Sequence, residues 1–317
     1  MSGVRVLVTG AGGFAGRHLA SLCAAEGATV IGSGRRETTD VELSAYIRAD
    51  LADPVEAAEL VRQAAPERAF HLAAEASVAR SWQDPAGVIA ANVGSTLNLL
   101  EAVRLHASSA RVLVACSGEE YGPPERLPVD ENHRLRPQNP YAVSKAAVDL
   151  AAGFYADAHG LGIVRTRAFN HAGPGQSDTY VVSSFARQIA EAEAAGSGEV
   201  EIVTGNLAPK RDFTDARDVV RAYWLALERA EPGAYNVCSG RSSAIGDILA
   251  ALSGETALVV GQRTDPSRLR ENEVMDIRGS HERLTAATGW QPEIPLERTL
   301  RDTLDWWRER VGAEVTR

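Results

Sequence analysis

The segment YAVSK (residues 141–145) places a tyrosine and a lysine four positions apart, directly after Pro140. Proline is favoured at the first position of a helix, and residues four apart lie on the same helix face. The Tyr141 hydroxyl and the Lys145 ammonium can therefore meet near one ligand. The ammonium would lower the pKa of Tyr141, so that its hydroxyl could exchange a proton with an alcohol or a ketone. Both residue types are common on helix surfaces, so the spacing alone is weak evidence for a site.

A serine follows the fourth predicted strand of the chain. Ser117 opens the segment SGEEYG (residues 117–122), directly after a strand predicted at 111–115. Ligands of α/β proteins bind at the carboxyl ends of parallel strands. Ser117 could therefore donate a hydrogen bond to the same oxygen that Tyr141 protonates. Considered alone, Ser117 could equally be a capping or turn hydroxyl.

Three glycines, spaced Gly10-x-x-Gly13-x-x-Gly16, separate a strand predicted at 4–8 from a helix predicted at 16–26. This pattern is typical of a dinucleotide-binding turn, in which the backbone approaches a pyrophosphate and the helix N-terminus offers N–H groups to it. Glycine-rich loops also occur for turn geometry only, but the position between the first strand and the first helix favours cofactor binding. The predicted phosphate contacts are Gly10, Gly13, Phe14, Ala15 and Gly16.

The end of the second predicted strand (28–32) indicates which nicotinamide cofactor fits. A carboxylate there binds the ribose 2′-hydroxyl of NAD, whereas arginine meets the 2′-phosphate of NADP. Arg35 and Arg36 follow this strand, and no carboxylate occurs before Glu37. We predict NADP(H), with NAD(H) as the alternative; the two arginines could also be solvated loop residues. Further cofactor contacts are expected where later strands end, at Asp50 and Leu51 beside the adenine and at Leu72, Ala73 and Ala74 beside the passing cofactor.

Strand and helix patterns alternate through the first half of the chain, which predicts βαβ units and a parallel sheet covered on both faces. Strands are predicted at 4–8, 28–32, 68–73, 111–115 and 163–168, and helices at 16–26, 54–65, 85–106 and 140–159. Beyond about residue 172 the alternation is less regular, with helices predicted at 182–195, 216–230, 244–252, 281–288 and 296–311. The predicted fold is α/β: a Rossmann-type doubly wound parallel sheet in residues 1–172, with contributions from about 206–240, and a smaller C-terminal α/β substrate-binding lobe in 173–317.

The composition restricts the partners and the compartment. The chain has 33 Lys and Arg against 42 Asp and Glu, a formal net charge of −9, which argues against a general nucleic-acid or anionic-membrane binder. No apolar run approaches the roughly 18 residues that span a bilayer. Three scattered cysteines, the lack of a leader-like stretch before residue 4, and the absence of any HExxH pattern predict a cytoplasmic protein without a metal site.

With these segments in place, the chain resembles the extended short-chain dehydrogenases/reductases, in the group that modifies nucleotide-activated sugars. The resemblance covers nearly the whole length and includes FNHAGPGQ (169–176), KRDFTDARDVV (210–220) and YNVCSG (235–240). These three segments are characteristic of the GDP-mannose branch. SVARSW (77–82) and ATGWQPEIPLERTL (287–300) look closer to the reductases of that branch than to its dehydratases.

The resemblance implies roles at matching positions. Ser117, Tyr141 and Lys145 match the catalytic group of the family, and His171 would lie beside the nicotinamide. Asn92 is expected among the cofactor contacts. The implied substrate contacts are Asn170 on the phosphate, Arg211 and Arg270 on the diphosphate and ribose, Glu273 near that ribose, Val181 and Arg187 around the guanine, and Ser77. Arg211 could instead form an ion pair with Asp212 or Asp215.

Two departures from the family pattern bear on the activity. Glu271 follows Arg270, where the reductases usually have proline. Glu119 occupies the position at which the dehydratases carry a glutamate that eliminates water. However, Ser117 and Gly118 replace their usual Thr-Ser or Thr-Asp pair.

The resemblance therefore implies NAD(P)H-dependent reduction of the C4 ketone of a GDP-4-keto-6-deoxy sugar. The alternative is dehydration of GDP-mannose with Glu119 as a catalytic residue. An epimerase and a nucleotide-sensing regulator on the same fold are less favoured, since a sensor needs no proton donor. The helices at 85–106 and 140–159 match those that pair in family homodimers, so we expect a homodimer.

Overall fold

The computed structural model describes residues 3–269 and 274–315. In these residues the strands are β1 (Arg5–Thr9), β2 (Thr29–Gly34), β3 (Ala45–Arg48), β4 (Arg68–His71), β5 (Arg111–Ser117), β6 (Ile163–Ala168), β7 (Asn170–Ala172), β8 (Glu199–Thr204), β9 (Lys210–Asp215), β10 (Gly233–Val237), β11 (Ser242–Ala244), β12 (Val259–Thr264) and β13 (Asp276–Ile277). The helices are α1 (Phe14–Ala25), α2 (Pro54–Ala64), α3 (Val78–Gln83), α4 (Pro85–His106), α5 (Pro140–His159), α6 (Val181–Ala194), α7 (Ala216–Arg229), α8 (Ile245–Ser253), α9 (Glu282–Thr288) and α10 (Leu296–Val315), with 3₁₀ turns at Gly118–Tyr121 and Pro266–Arg268.

The central sheet has seven parallel strands in the order β10-β6-β5-β4-β1-β2-β3. Val8 of β1 lies opposite Gly32 of β2 and Phe70 of β4, so three βα connections meet at one sheet edge. One core lies between the sheet and helices α1 and α7, and a second lies between its other face and helices α2, α4 and α5. The predicted doubly wound sheet is confirmed.

The C-terminal residues form a smaller layer around β9. This strand pairs with β7, β11 and β13, while β8 and β12 form a separate two-stranded sheet. Helices α6, α8 and α10 enclose a third core, which contains Phe185, Ile189 and Trp307. β10 returns from this half of the chain to the edge of the large sheet. The division of the chain at residue 172 stays a prediction.

Helix α4 is, among the described residues, the helix long and apolar enough to cross a membrane by length and composition. Leu99, Leu100 and Val103 of this helix are nevertheless fully buried in the core beneath the sheet. The same residue pattern is expected of a core helix, and that is how α4 packs here.

Candidate active site

The glycine turn joins β1 to α1 and is shaped for close backbone approach. Gly10 has a φ of +72°, and a Cβ there would lie 2.9 Å from the Ala73 amide nitrogen. A Cβ on Gly16 would lie 2.2 Å from the Gly10 carbonyl oxygen, so any larger residue would push the helix off the strand. Gly13 caps α1 without a side-chain hydrogen bond. The N–H groups of the first helical turn, at Phe14 and Ala15, are thus offered to an anion.

The serine, the tyrosine and the lysine come together where β5 ends and α5 begins. Asn139 caps α5 by accepting from the Ala142 amide at 2.8 Å, which places Tyr141 in the first turn. Ser117, the last residue of β5, lies close enough to Tyr141 to lower the pKa of its hydroxyl. Lys145 lies one turn later on the same helix, and its ammonium donates to the Ala115 carbonyl at 2.7 Å.

The electrostatics of this group differ from the sequence-based expectation in one respect. Burial raises the pKa of Tyr141 well above its usual value, and the neighbouring Ser117 hydroxyl only partly opposes this. Burial also lowers the pKa of Lys145. The expected lowering of the Tyr141 pKa by Lys145 is therefore wrong for this geometry, because the ammonium is bound to Ala115 and burial dominates. Tyr141 is a protonated phenol near neutral pH, the form that a general acid needs.

The buried side-chain amide of Asn92 fixes α5 against the loop that follows β4. The side chain of Asn92 accepts from the Glu75 amide at 2.7 Å and donates to the Glu75 carbonyl at 3.0 Å and to the Ser144 hydroxyl at 2.9 Å. Ser144 in turn donates to the Tyr141 carbonyl at 2.7 Å. Asn92 thus positions the helix that carries the tyrosine, and its contact with a cofactor stays a prediction.

His71, at the end of β4, continues this polar chain and was not singled out by the sequence. Its ring nitrogens contact the Thr9 hydroxyl at 2.9 Å and the Thr96 hydroxyl at 3.0 Å. Thr96 donates to the carbonyl of Asn92 at 2.8 Å. Complete burial lowers the pKa of His71 to about 3, so the ring is neutral and serves as a structural link between two strands and α4.

Aromatic rings connect the glycine turn to the loop after β7. The Phe14 ring stacks on His171, with ring centroids 5.8 Å apart and planes 3° from parallel. His18 meets the edge of Phe14 and also contacts the Pro174 carbonyl at 2.9 Å. His171 therefore lies beside the turn that is predicted to bind the cofactor.

The loop after β2 carries the two arginines predicted to recognise the cofactor. Arg35 and Arg36 are exposed, and neither makes an ion pair within the described residues. A Cβ on Gly34 would lie 3.0 Å from the Tyr46 hydroxyl, so a carboxylate side chain has no room there unless Tyr46 moves. Arg17, which sequence reasoning missed, lies at the same end, where it donates to the Gly12 carbonyl at 3.2 Å and pairs with Asp40 at 2.6 Å.

The other predicted cofactor contacts follow later strands of the sheet. Asp50 accepts from the Ala52 amide at 3.0 Å, and Leu51 is buried. Leu72 and Ala73 are half-buried beneath Gly10, while Ala74 is exposed.

The predicted substrate residues that the structure describes lie on several separate elements. Asn170 is exposed beside His171, and Ser77 caps α3 by accepting from the Arg80 amide at 3.1 Å. Arg211 donates to the carbonyls of Lys210 and Val274, at 2.9 and 2.7 Å. Val181 begins α6, Arg187 pairs with Asp178 and with Glu191, and Arg270 and Glu273 lie outside the described residues.

The carboxylates considered as partners of Arg211 are bound elsewhere. Asp212 accepts from the amides of Ser239, Gly240 and Gly279 at 2.7, 3.0 and 3.1 Å. Asp215 is held by the guanidinium of Arg217.

The pattern of the family described as GDP-mannose 4,6 dehydratase matches residues 7–303. The chain belongs to this family. It is 36% identical to the GDP-6-deoxy-D-mannose reductase of Pseudomonas aeruginosa, over 98% of this chain and 99% of that protein. It is 26% identical to the GDP-mannose 4,6-dehydratase of Yersinia enterocolitica, over 92% of this chain and 91% of the other. The predicted resemblance is thus confirmed.

The fold agrees with a solved structure from the same organism as the reductase. The structure of RMD from Pseudomonas aeruginosa complexed with NADPH superposes with a TM-score of 0.86 at 34% identity, covering 97% of this chain and 100% of that one.

Two residues of this member of the GDP-mannose 4,6-dehydratase family bear on whether it can eliminate water. Glu119 accepts a hydrogen bond from the Asn139 side chain at 2.8 Å, so its carboxylate is tied to the cap of α5. A Cβ on Gly118 would lie 2.9 Å from the Phe169 ring. The serine or aspartate usual at this position in the dehydratases would therefore require the Phe169 ring to shift.

Proposed function

We propose that this enzyme reduces the C4 ketone of GDP-4-keto-6-deoxy-D-mannose with NADPH and forms GDP-D-rhamnose. The observation that favours reduction over dehydration is Gly118, packed against the Phe169 ring, where the dehydratases have a serine or aspartate before their eliminating glutamate. The full-length similarity to a reductase of that sugar nucleotide supports the same choice.

The residues divide the work of the reaction as follows. Bound NADPH supplies the hydride that reaches C4. Tyr141 holds the proton that the new alkoxide needs, since burial keeps its hydroxyl protonated. Ser117 lies near Tyr141 and would polarise the same carbonyl oxygen. Lys145 would hold the nicotinamide ribose and add positive charge beneath the oxygen.

The residues present fit a dinucleotide with a 2′-phosphate. Gly10 has no room for a side chain, because a Cβ there would lie 2.9 Å from the Ala73 amide nitrogen. Glycine at this position is what a turn that binds pyrophosphate requires. At Gly34 a carboxylate that would bind a free 2′-hydroxyl would need Tyr46 to move, whereas Arg35 and Arg36 offer positive charge. NADP(H) is therefore preferred, with NAD(H) the weaker alternative.

Cofactor balance separates the two activities. A reductase consumes one NADPH for each ketone reduced, whereas a dehydratase returns the hydride to C6 and recovers its cofactor. We expect GDP-4-keto-6-deoxymannose to consume NADPH one-for-one, measured by nicotinamide absorbance, and GDP-mannose alone to give no keto product. Glu119→Gln should be tolerated better than Tyr141→Phe. Dehydration of GDP-mannose without net loss of cofactor, abolished by Glu119→Gln, would favour the dehydratase instead.

A homodimer is proposed from the outer faces of α4 and α5. Leu105, Leu150 and Phe154 are apolar and 56%, 66% and 61% exposed, an apolar surface that a second copy would cover.

Location in the cytoplasm is proposed from the three cysteines, which are free thiols and buried. We also propose that the chain divides into a cofactor domain (1–172, with about 206–240) and a substrate lobe (173–317).

A further inference from the structure

A second glutamate lies directly beneath the catalytic serine. Glu120 belongs to the 3₁₀ turn that follows β5, and its side chain is 0% exposed. One carboxyl oxygen, Oε1, accepts a hydrogen bond from the Ser117 amide at 2.7 Å. Its backbone carbonyl accepts from the Arg136 amide at 2.9 Å, which fixes the turn from the other side. Glu120 therefore helps to set the position of Ser117.

The other oxygen of Glu120 has no hydrogen-bond donor in the described part of the chain. Oε2 is buried, and the nearest guanidinium nitrogen, Arg167 Nε, is 3.8 Å away. That nitrogen donates instead to Asp149 at 2.7 Å, and another nitrogen of Arg167 donates to the Tyr121 hydroxyl at 3.0 Å. An ionised carboxylate in this position would bury a negative charge on an oxygen that lacks a donor, which is costly.

The cations around Glu120 donate their hydrogen bonds to other groups, Lys145 to the Ala115 carbonyl and Arg167 to Asp149 and Tyr121. Asp149 receives Arg167 and also Arg165, at 2.5 Å. Cys116, Glu120 and Asp149 bring one sulfur and two carboxylate oxygens within 4.8 Å of one another, beside these guanidinium groups. The titratable and charged groups facing Glu120 are Cys116 from β5, Lys145 and Asp149 from α5, Arg165 and Arg167 from β6, Tyr121 from its own turn, Glu131 from the following loop, and Tyr141 at the site above.

We propose that Glu120 is a positioning residue that works as a neutral carboxylic acid: it holds Ser117 through Oε1 and keeps a proton on Oε2, and loss of that proton slows the reduction. A proton on Oε2 removes the buried negative charge from an oxygen that lacks a donor, in a cluster that already holds the Asp149 carboxylate and the Cys116 sulfur. Burial, followed by the charge of Asp149, raises the pKa of Glu120 to about 8, in agreement with this geometry.

Loss of the proton would act on the site directly above. A negative charge on Glu120 raises the pKa of Tyr141 further, so the tyrosine becomes a weaker acid toward the alkoxide. The effect on rate rests on the proposed ketone reduction, whereas the protonation state of Glu120 does not.

The protonation state is therefore measured first, without turnover. The protein is labelled with ¹³C at glutamate carboxyl carbons, and the resonance of Glu120 is assigned by its loss in Glu120→Gln. Glu297→Gln, at an exposed position on α10, is the matched control that removes a different resonance. We expect the Glu120 resonance to have the shift of a protonated acid at pH 6.5 and to titrate near pH 8. Titration below pH 5, as for an exposed glutamate, would overturn the proposal whatever reaction the enzyme catalyses.

The rate is measured next, as kcat against pH with saturating NADPH. For the wild type we expect kcat to fall above about pH 8, the pKa of Glu120. In Glu120→Gln, where the amide mimics the protonated acid, the fall should move upward by at least about one pH unit. Glu120→Ala, which removes the acceptor for the Ser117 amide, should lower kcat with little change in KM for NADPH. An alkaline limb that is the same in Glu120→Gln and the wild type would overturn the role in catalysis.

Discussion

Removal of both loop arginines tests how the enzyme chooses its cofactor. Arg35 and Arg36 follow β2, are exposed, and make no ion pair with any described residue. The variant Arg35→Ala/Arg36→Ala therefore leaves no buried charge unpaired, and its effect on the fold should be small.

The magnitude follows from the number of hydrogen bonds to the 2′-phosphate that the variant removes. A hydrogen bond to a charged group contributes about 1.5–3 kcal/mol, and exposure of both side chains favours the lower figure. Two such bonds then contribute about 3 kcal/mol, which corresponds to roughly a 100-fold rise in the Kd of NADPH. NADH has no 2′-phosphate, so its Kd should change less than about threefold by the same reasoning.

Fluorescence titration with both cofactors, at low and high salt, measures the effect. The Kd of NADPH should depend on salt in the wild type and much less in the double variant. Arg48→Ala is the matched control, because Arg48 is exposed near the same loop but pairs with Glu37 at 3.1 Å. Equal weakening of NADPH and NADH, or none of either, would refute the assignment of the two arginines to the phosphate.

Two further changes probe the proton donor and the assembly. Tyr141→Phe should lower kcat by roughly 10²–10⁴-fold in the NADPH oxidation assay, with little change in the Kd of NADPH because the ring remains; a rate near that of the wild type would contradict the role of the hydroxyl. Phe154→Asp on the exposed face of α5 should convert a dimer into a monomer in sedimentation at micromolar concentration, since it buries a charge in the interface. A wild-type protein that sediments as a monomer would contradict the proposed homodimer.

The sequence predicted the elements that begin and end with strong local signals. Helices Pro85–His106 and Pro140–His159 have the predicted bounds, since each begins at a proline behind an Asp or Asn cap. Strand β9 was missed because its sequence, KRDFTD, has no apolar periodicity. Its buried Asp212 is stabilised by amide groups from two later loops, and those contacts exist only in the folded chain.

The same contrast between local signals and contacts made only in the folded chain holds for the site. Ser117, Tyr141 and the glycine turn were predicted because motif spacing places them at one edge of a parallel sheet. The amide of Asn92 and the ring of His71 could not be assigned their contacts, since their partners lie 17 to 62 positions away in the chain. The role proposed for Glu120 could not be predicted from the sequence for a related reason. Only the fold places it next to Asp149 and leaves its second oxygen without a donor among the described residues.

The rings of Phe14, His18 and His171 join the glycine turn to the segment that begins at β7. Phe14 begins α1 at the turn that would hold the coenzyme phosphates, and it stacks on His171 of β7, next to the predicted substrate residue Asn170. His18 fastens the same helix to Pro174. A coenzyme that orders both the turn and this segment would favour binding of the sugar nucleotide, and linkage then requires the sugar nucleotide to strengthen coenzyme binding by the same factor. Affinities measured for one ligand alone would then understate the affinities during turnover.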